Sequence, residues 1–343
     1  MDKKAIFRTI IEAGKTIAPP IVVERIYHKM FGHHFYSPKH LSFEVEDFKG
    51  LKREKHPFVS YNKNKLIGYI YYQKSPQNKG IFVFSHGYGG GGHHCYLDLI
   101  NEVTKLGYNV FAYDATANDE SEGDDMRGFT QGLLDADKAI SYVESLKEYK
   151  DMPLYLMGHS WGAYSVSNAL EFHPRVKGLI SLAGFNISYS IFEANGQLYA
   201  GDTSKEFLEH IKDRENYLFG KMAFHTAIES FKHSTAKIVI VHSGDDSTVP
   251  ISAGYDQYYK EFKDNKRFHF IRLNFRGHGT VYYTLSGKRY YDSVNANYER
   301  YLKNNKEATE EMKDEYLTKL IDRKKYCSSV DVELIKKAIK FIR

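Results

Sequence analysis

A series of short, mostly apolar runs, separated by stretches with helical spacing, constrains the fold of this chain more than any other feature. The runs occupy residues 81–85, 108–113, 154–157, 179–183, 238–242 and 268–273. Between them, residues 94–106, 130–146, 161–172 and 252–262 carry apolar positions at helical intervals, with Gly107 placed to cap the first and Pro174 to stop the third. Strands without an inside–outside alternation are buried on both faces. This pattern therefore predicts an α/β fold with a mostly parallel sheet flanked by helices. Residues 58–61 and 66–72, joined by the polar turn 62–65, read as a preceding hairpin. The rhythm breaks once, at residues 186–235, where Tyr189, Phe192, Phe207, Tyr217, Phe219, Phe224 and Phe231 stand among many charges. We read that stretch as an inserted helical cap. The expected division is a helical N-terminal extension (1–56), a core with C-terminal helices (57–185 and 236–343) and the cap (186–235).

Composition excludes several classes of function. Charged residues make up 27% of the chain, and 48 basic against 43 acidic side chains leave a net charge of only +5. Without a basic stripe interleaved with aromatics, nucleic acid is not an expected partner. The only cysteines, Cys95 and Cys327, cannot supply a disulfide framework, so a reducing, cytoplasmic setting is expected. At the N-terminus Ile6, Ile10 and Ile17 follow helical spacing, but Lys3, Arg8 and Lys15 interrupt any apolar core. That helix is expected to pack on the body of the protein, with membrane-surface contact as the alternative. No transmembrane span is expected.

The chemistry-bearing residues follow the apolar runs. Gly158-His159-Ser160-Trp161-Gly162, the only G-x-S-x-G in the chain, lies between a predicted strand and a predicted helix, the setting of a nucleophile elbow. Gly158 and Gly162 permit the sharp bend, and the helix start directs N–H groups toward the region around Ser160. His86-Gly87-Tyr88-Gly89-Gly90-Gly91-Gly92 follows residues 81–85 and lacks the spacing of a phosphate loop. It suits an oxyanion loop, with the Tyr88 N–H joining the Trp161 N–H. Asp245 and Asp246 follow residues 238–242, and His278 follows residues 268–273. A serine, a carboxylate and a histidine in that chain order can form a nucleophile, an orienting acid and a general base. The adjacent His93 and His94 have no H-E-x-x-H or carboxylate companion, so no metal and no cofactor are expected.

From about residue 80 to residue 280 the chain resembles the α/β-hydrolase superfamily, in its esterase/lipase and serine-aminopeptidase-like branch. The His86-Gly87 loop, the Gly158–Gly162 elbow and His278 within Gly277-His278-Gly279 carry the resemblance. The family's acid stands three residues before a Val-Pro pair, which here singles out Asp246 before Val249-Pro250. Residues 113–123 are similar to the family's loop after the next strand, although its usual arginine–glycine pair is absent. The resemblance implies a catalytic triad of Ser160, Asp246 and His278, acting through an acyl-enzyme on a small-molecule ester with an apolar part. An aminopeptidase is the alternative, and it would need cap carboxylates to hold a substrate ammonium. Glu193, Asp202, Glu206, Glu209, Asp213 and Glu215 are the candidates. An acyltransferase, or a catalytically silent binding module on the same fold, completes the range.

Overall fold

The computed structural model describes residues 19–74, 79–200 and 204–343. The predicted helical positions Ile6, Ile10 and Ile17, and the candidate carboxylate Asp202, lie outside them. Eight strands form one sheet: β1 (Leu51–Val59), β2 (Lys65–Gln73), β3 (Ile81–Ser85), β4 (Asn109–Tyr113), β5 (Leu154–His159), β6 (Val176–Leu182), β7 (Lys237–Ser243) and β8 (Phe268–Leu273). Their order across the sheet is β1-β2-β4-β3-β5-β6-β7-β8. β1 and β2 pair antiparallel, β2 pairs antiparallel with β4, and all remaining pairs are parallel.

The helices ahead of β6 are α1 (Pro19–Phe31), α2 (Leu97–Lys105), α3 (Thr130–Ser145) and α4 (Trp161–Ala169). Between β6 and β7 come α5 (Ser190–Ala200), α6 (Ser204–Phe219) and α7 (Ala227–His233). α8 (Tyr255–Phe262) joins β7 to β8, and α9 (Leu285–Asn304), α10 (Glu310–Leu320), α11 (Arg323–Cys327) and α12 (Val332–Ile342) follow the sheet. None of the helices among the described residues is long and apolar enough to cross a membrane.

The apolar runs are explained by two cores, one on each face of the sheet. Ile81, Val83, Leu154 and Leu156 point into one, while Phe82, Phe84, Tyr155 and Met157 point into the other. The first core also takes Val22, Val23, Ile26, Tyr27 and Phe31, so the described part of the N-terminal region packs on the body of the protein. The expected helical extension nevertheless ends earlier than residue 56, because β1 starts at Leu51. β1 is an edge strand with mostly solvent-facing polar residues, including Lys52, Arg53, Glu54 and Lys55, so it has neither an apolar run nor a clean alternation. Pro57 is tolerated there because an edge strand has a side without ladder bonds.

Candidate active site

Strand ends β3, β5, β7 and β8 open on the same edge of the sheet, and each delivers one part of the site. After β5 the chain turns directly into α4 at Ser160, whose backbone sits at φ 57° and ψ −117°. A non-glycine residue in that region is strained by about 1–3 kcal/mol, and the neighbouring contacts hold it there. The Ser160 N–H donates to the Leu182 carbonyl at 2.8 Å, which ties the turn to β6. A side chain at Gly162 would collide with the backbone carbonyls of Ser85 and His86, and one at Gly158 would collide with Gly162. Both glycines are therefore required for the close approach of strand and helix.

Ser160 Oγ lies 2.8 Å from His278 Nε2, and His278 Nδ1 lies 2.7 Å from Asp246 Oδ2. With the ring neutral, Nδ1–H donates to the carboxylate and Nε2 is left to accept the serine proton. Asp246 Oδ1 accepts the N–H groups of Thr248 at 2.8 Å and Val249 at 2.9 Å, so both its oxygens are occupied. Burial alone would raise the Asp246 pKa. The hydrogen bonds and charges of His242 and His278 outweigh burial and hold it well below the usual carboxylate range. His242, fully buried on β7, places Nε2 3.0 Å from the Val249 carbonyl and 3.3 Å from Asp246 Oδ2.

Asp245 takes a different part. Its Oδ1 accepts from the N–H groups of Arg276 and Gly277, each at 3.2 Å, and from the Ser243 hydroxyl. It therefore braces the loop that carries His278. That loop turns through Phe275 and Gly277, both with positive φ, and Arg276 pairs with Asp331 at the start of α12.

The two N–H groups expected to serve as oxyanion donors, those of Trp161 and Tyr88, stand on different segments of the chain. The Trp161 N–H belongs to the first turn of α4, where no intrahelical acceptor exists. In the loop after β3, the Gly87 N–H is taken by the Tyr96 hydroxyl and the Gly92 N–H by Ser37 and Asp119. Among the described residues nothing takes the Tyr88 N–H. The Tyr88 hydroxyl points away and donates to the Met30 carbonyl of α1 at 2.6 Å. Its ring joins Phe31, Phe35, Phe129 and Trp161 in an aromatic cluster beside the elbow.

The segment between β6 and β7 packs beside this cluster. Phe192 on α5 is buried and lies 5.9 Å from Phe129 and 6.2 Å from Tyr27, centroid to centroid. Phe224, another aromatic of the predicted cap, is exposed. Glu215 on α6 is fully buried, accepting from the Tyr27 hydroxyl at 2.8 Å and the Thr130 hydroxyl at 2.7 Å. Glu193, Glu206, Glu209 and Asp213 are exposed. His93 is held by Asp114 at 2.6 Å and Tyr71 at 2.7 Å, both buried, and His94 turns toward the Phe43 carbonyl. Among the described residues no group of three or more His, Cys, Asp or Glu is placed to hold a metal ion.

Sequence reasoning missed His242 and Tyr96, and it named Glu215 only as a candidate for holding a substrate ammonium, not for its buried contacts with Tyr27 and Thr130. His242 stands four residues before Asp246 at a strand end, a spacing that could have marked it. Tyr96 and Glu215 meet their partners only through tertiary contacts, which leave no local signal.

The family model for serine aminopeptidase S33 matches residues 76–198. Monoglyceride lipase of Rattus norvegicus is 31% identical over 121 residues, covering 33% of this chain and 37% of the lipase. Proline iminopeptidase of Saccharolobus solfataricus is 28% identical over 165 residues, 47% of this chain and 48% of that protein. The chain thus spans less than half the length of each of these relatives. Among solved structures, an esterase of Pyrococcus furiosus superposes with a TM-score of 0.57 at 16% identity, over 80% of this chain and 98% of that one. An alpha-beta hydrolase of Vibrio vulnificus gives 0.53 at 15% identity, over 74% and 82%.

Proposed function

Because the chain belongs to the α/β-hydrolase superfamily, we propose that it hydrolyses carboxylic esters through a covalent acyl-enzyme on Ser160. The observation that carries this reading is the continuous line from Ser160 Oγ through His278 to Asp246, with both links at 2.8 Å or less. His278 Nε2 takes the Ser160 proton as Oγ attacks the ester carbonyl carbon. The resulting oxyanion rests on the N–H groups of Tyr88 and Trp161. Collapse of the intermediate breaks the bond to the alcohol, which leaves with the proton held on His278. Water then gives a proton to His278 and attacks the acyl carbon, releasing the acid and restoring Ser160. Asp246 stays ionised throughout and stabilises the imidazolium. No cofactor enters any step.

An apolar acyl or alcohol part is favoured by the aromatic surroundings. Tyr88, Phe129, Trp161 and Phe192 form an aromatic cluster beside the elbow. The similarity to a monoglyceride lipase points the same way. The peptidase reading draws on the serine aminopeptidase family model and the proline iminopeptidase match. It is weakened by Glu215, the one buried carboxylate among the described cap candidates, because Tyr27 and Thr130 already occupy both its oxygens. A panel of p-nitrophenyl esters of increasing acyl length, run beside aminoacyl anilides, tests the choice. We expect the esters to turn over faster and medium or long acyl chains to be preferred. Faster turnover of the anilides would replace the esterase reading with the peptidase one.

A further inference from the structure

The proposed reaction needs the oxyanion loop after β3 and the histidine loop after β8 to keep a fixed separation around Ser160. We propose that Tyr96 and His159 form a hydrogen-bonded strut between these two loops and act as positioning residues for the reaction. This rests on the serine-hydrolase reading above. Three contacts make up the strut: Gly87 N to Tyr96 Oη at 3.0 Å, Tyr96 Oη to His159 Nδ1 at 2.9 Å, and His159 Nε2 to the His278 carbonyl at 3.1 Å.

Chemistry fixes the direction of every bond. The Gly87 N–H can only donate, so Tyr96 Oη accepts from it. The His278 carbonyl can only accept, so His159 carries its proton on Nε2. Burial, helped by the nearby charge of His278, pushes the His159 pKa down to about 3, which keeps this ring neutral. Its Nδ1 is therefore a bare acceptor, and the Tyr96 hydroxyl proton must point to it. In the opposite tautomer, lone pairs would face each other at the His278 carbonyl.

The packing supports a rigid link. Tyr96 ends the short helical turn His93–Tyr96 ahead of α2, and its ring centroid lies 5.2 Å from that of Phe84 and 6.2 Å from that of Tyr282. A Cβ on Gly87 would stand 2.6 Å from Tyr96 Oη, 3.3 Å from His159 Nδ1 and 3.5 Å from Ser160 Cβ. Only glycine lets the strut pass this close to the nucleophile. The neutrality of His159 also matters, because its ring lies 5.0 Å from that of His278. A second cation there would oppose the imidazolium formed during acyl transfer.

The test compares Tyr96→Phe, His159→Phe and the double variant in the full chain. Turnover of the preferred ester and the rate of fluorophosphonate labelling are measured at matched folded concentration. Each single substitution should lower kcat on the order of 10- to 100-fold, as a small misplacement of reacting groups does. KM should stay within about twofold of wild type, because the substrate's own contacts are intact. Labelling should slow in parallel, and the double variant should be no worse than the more damaging single one, because the two residues act as a unit. Unchanged kcat in folded Tyr96→Phe, a rise in KM alone, or fully additive losses would overturn the strut. If Tyr96→Phe does not fold, His159→Phe decides, because it leaves the Gly87–Tyr96 bond in place; unchanged kcat in that variant overturns the proposal. Failure of the wild type itself to label would instead remove the hydrolase reading on which the strut rests.

Discussion

Two adjacent carboxylates, Asp245 and Asp246, occupy one loop and make entirely different contacts. Asp246 is buried and faces His278, whereas Asp245 braces the backbone of Arg276 and Gly277 from the rim. Consecutive residues in a tight loop project in different directions, so only one of them reaches the imidazole. Asp246→Asn leaves the Thr248 and Val249 N–H groups an amide oxygen to bind but favours the wrong tautomer of His278. Ester turnover should then fall by roughly four orders of magnitude near neutral pH. Asp245→Asn keeps an acceptor for both loop N–H groups and should cost less than about tenfold. Turnover of one activated ester by the two variants, with thermal melting as the folding control, measures both. A crippled Asp245→Asn beside an active Asp246→Asn would shift the acid by one residue.

Among the secondary-structure elements, α1, α3 and α6 meet at a single buried side chain. Glu215 of α6 receives the hydroxyl of Tyr27 from α1 and that of Thr130 from the first turn of α3. An ion pair between the half-buried Arg214 and the exposed Glu24, at 3.1 Å, adds little to this joint. Glu215→Ala leaves two hydroxyls without an acceptor and opens a void, which should cost about 3 kcal/mol of stability near pH 5. Burial raises the pKa of Glu215 above the usual 4.5 despite the two hydroxyl donors. The folded state therefore holds this proton more tightly than the unfolded chain does. The stability it contributes is complete below 4.5 and is lost as pH rises through the raised folded value. Denaturant melts at pH 5 and pH 8 should accordingly show a smaller penalty for Glu215→Ala at the higher pH. An equal or larger penalty at pH 8 would mean that the carboxylate is stabilised as the anion.

For the whole molecule, what could be read from sequence divides along a physical line. The inner strands were legible because burial on both faces produces short apolar runs, as at Ile81–Ser85 and in the first residues of Leu154–His159. β1 was legible only at its end, since an edge strand rich in Lys, Arg and Glu has no such run. Ser160, Asp246 and His278 were visible because each follows a strand end with its own local pattern, and the structure brings them within hydrogen-bond reach of one another. The strut through Tyr96 and the joint at Glu215 were not visible, because their partners lie far away in the chain and meet only after folding. The central claim is that this geometry makes Ser160 a nucleophile. Intact-protein mass spectrometry after treatment with a fluorophosphonate tests it most directly, since displacement of fluoride by Ser160 Oγ leaves one covalent phosphonyl adduct. We predict a single adduct on the wild type, mapped to Ser160, and none on a folded Ser160→Ala variant. An unmodified wild type, or an adduct on Ser160→Ala formed at the wild-type rate, would contradict the account.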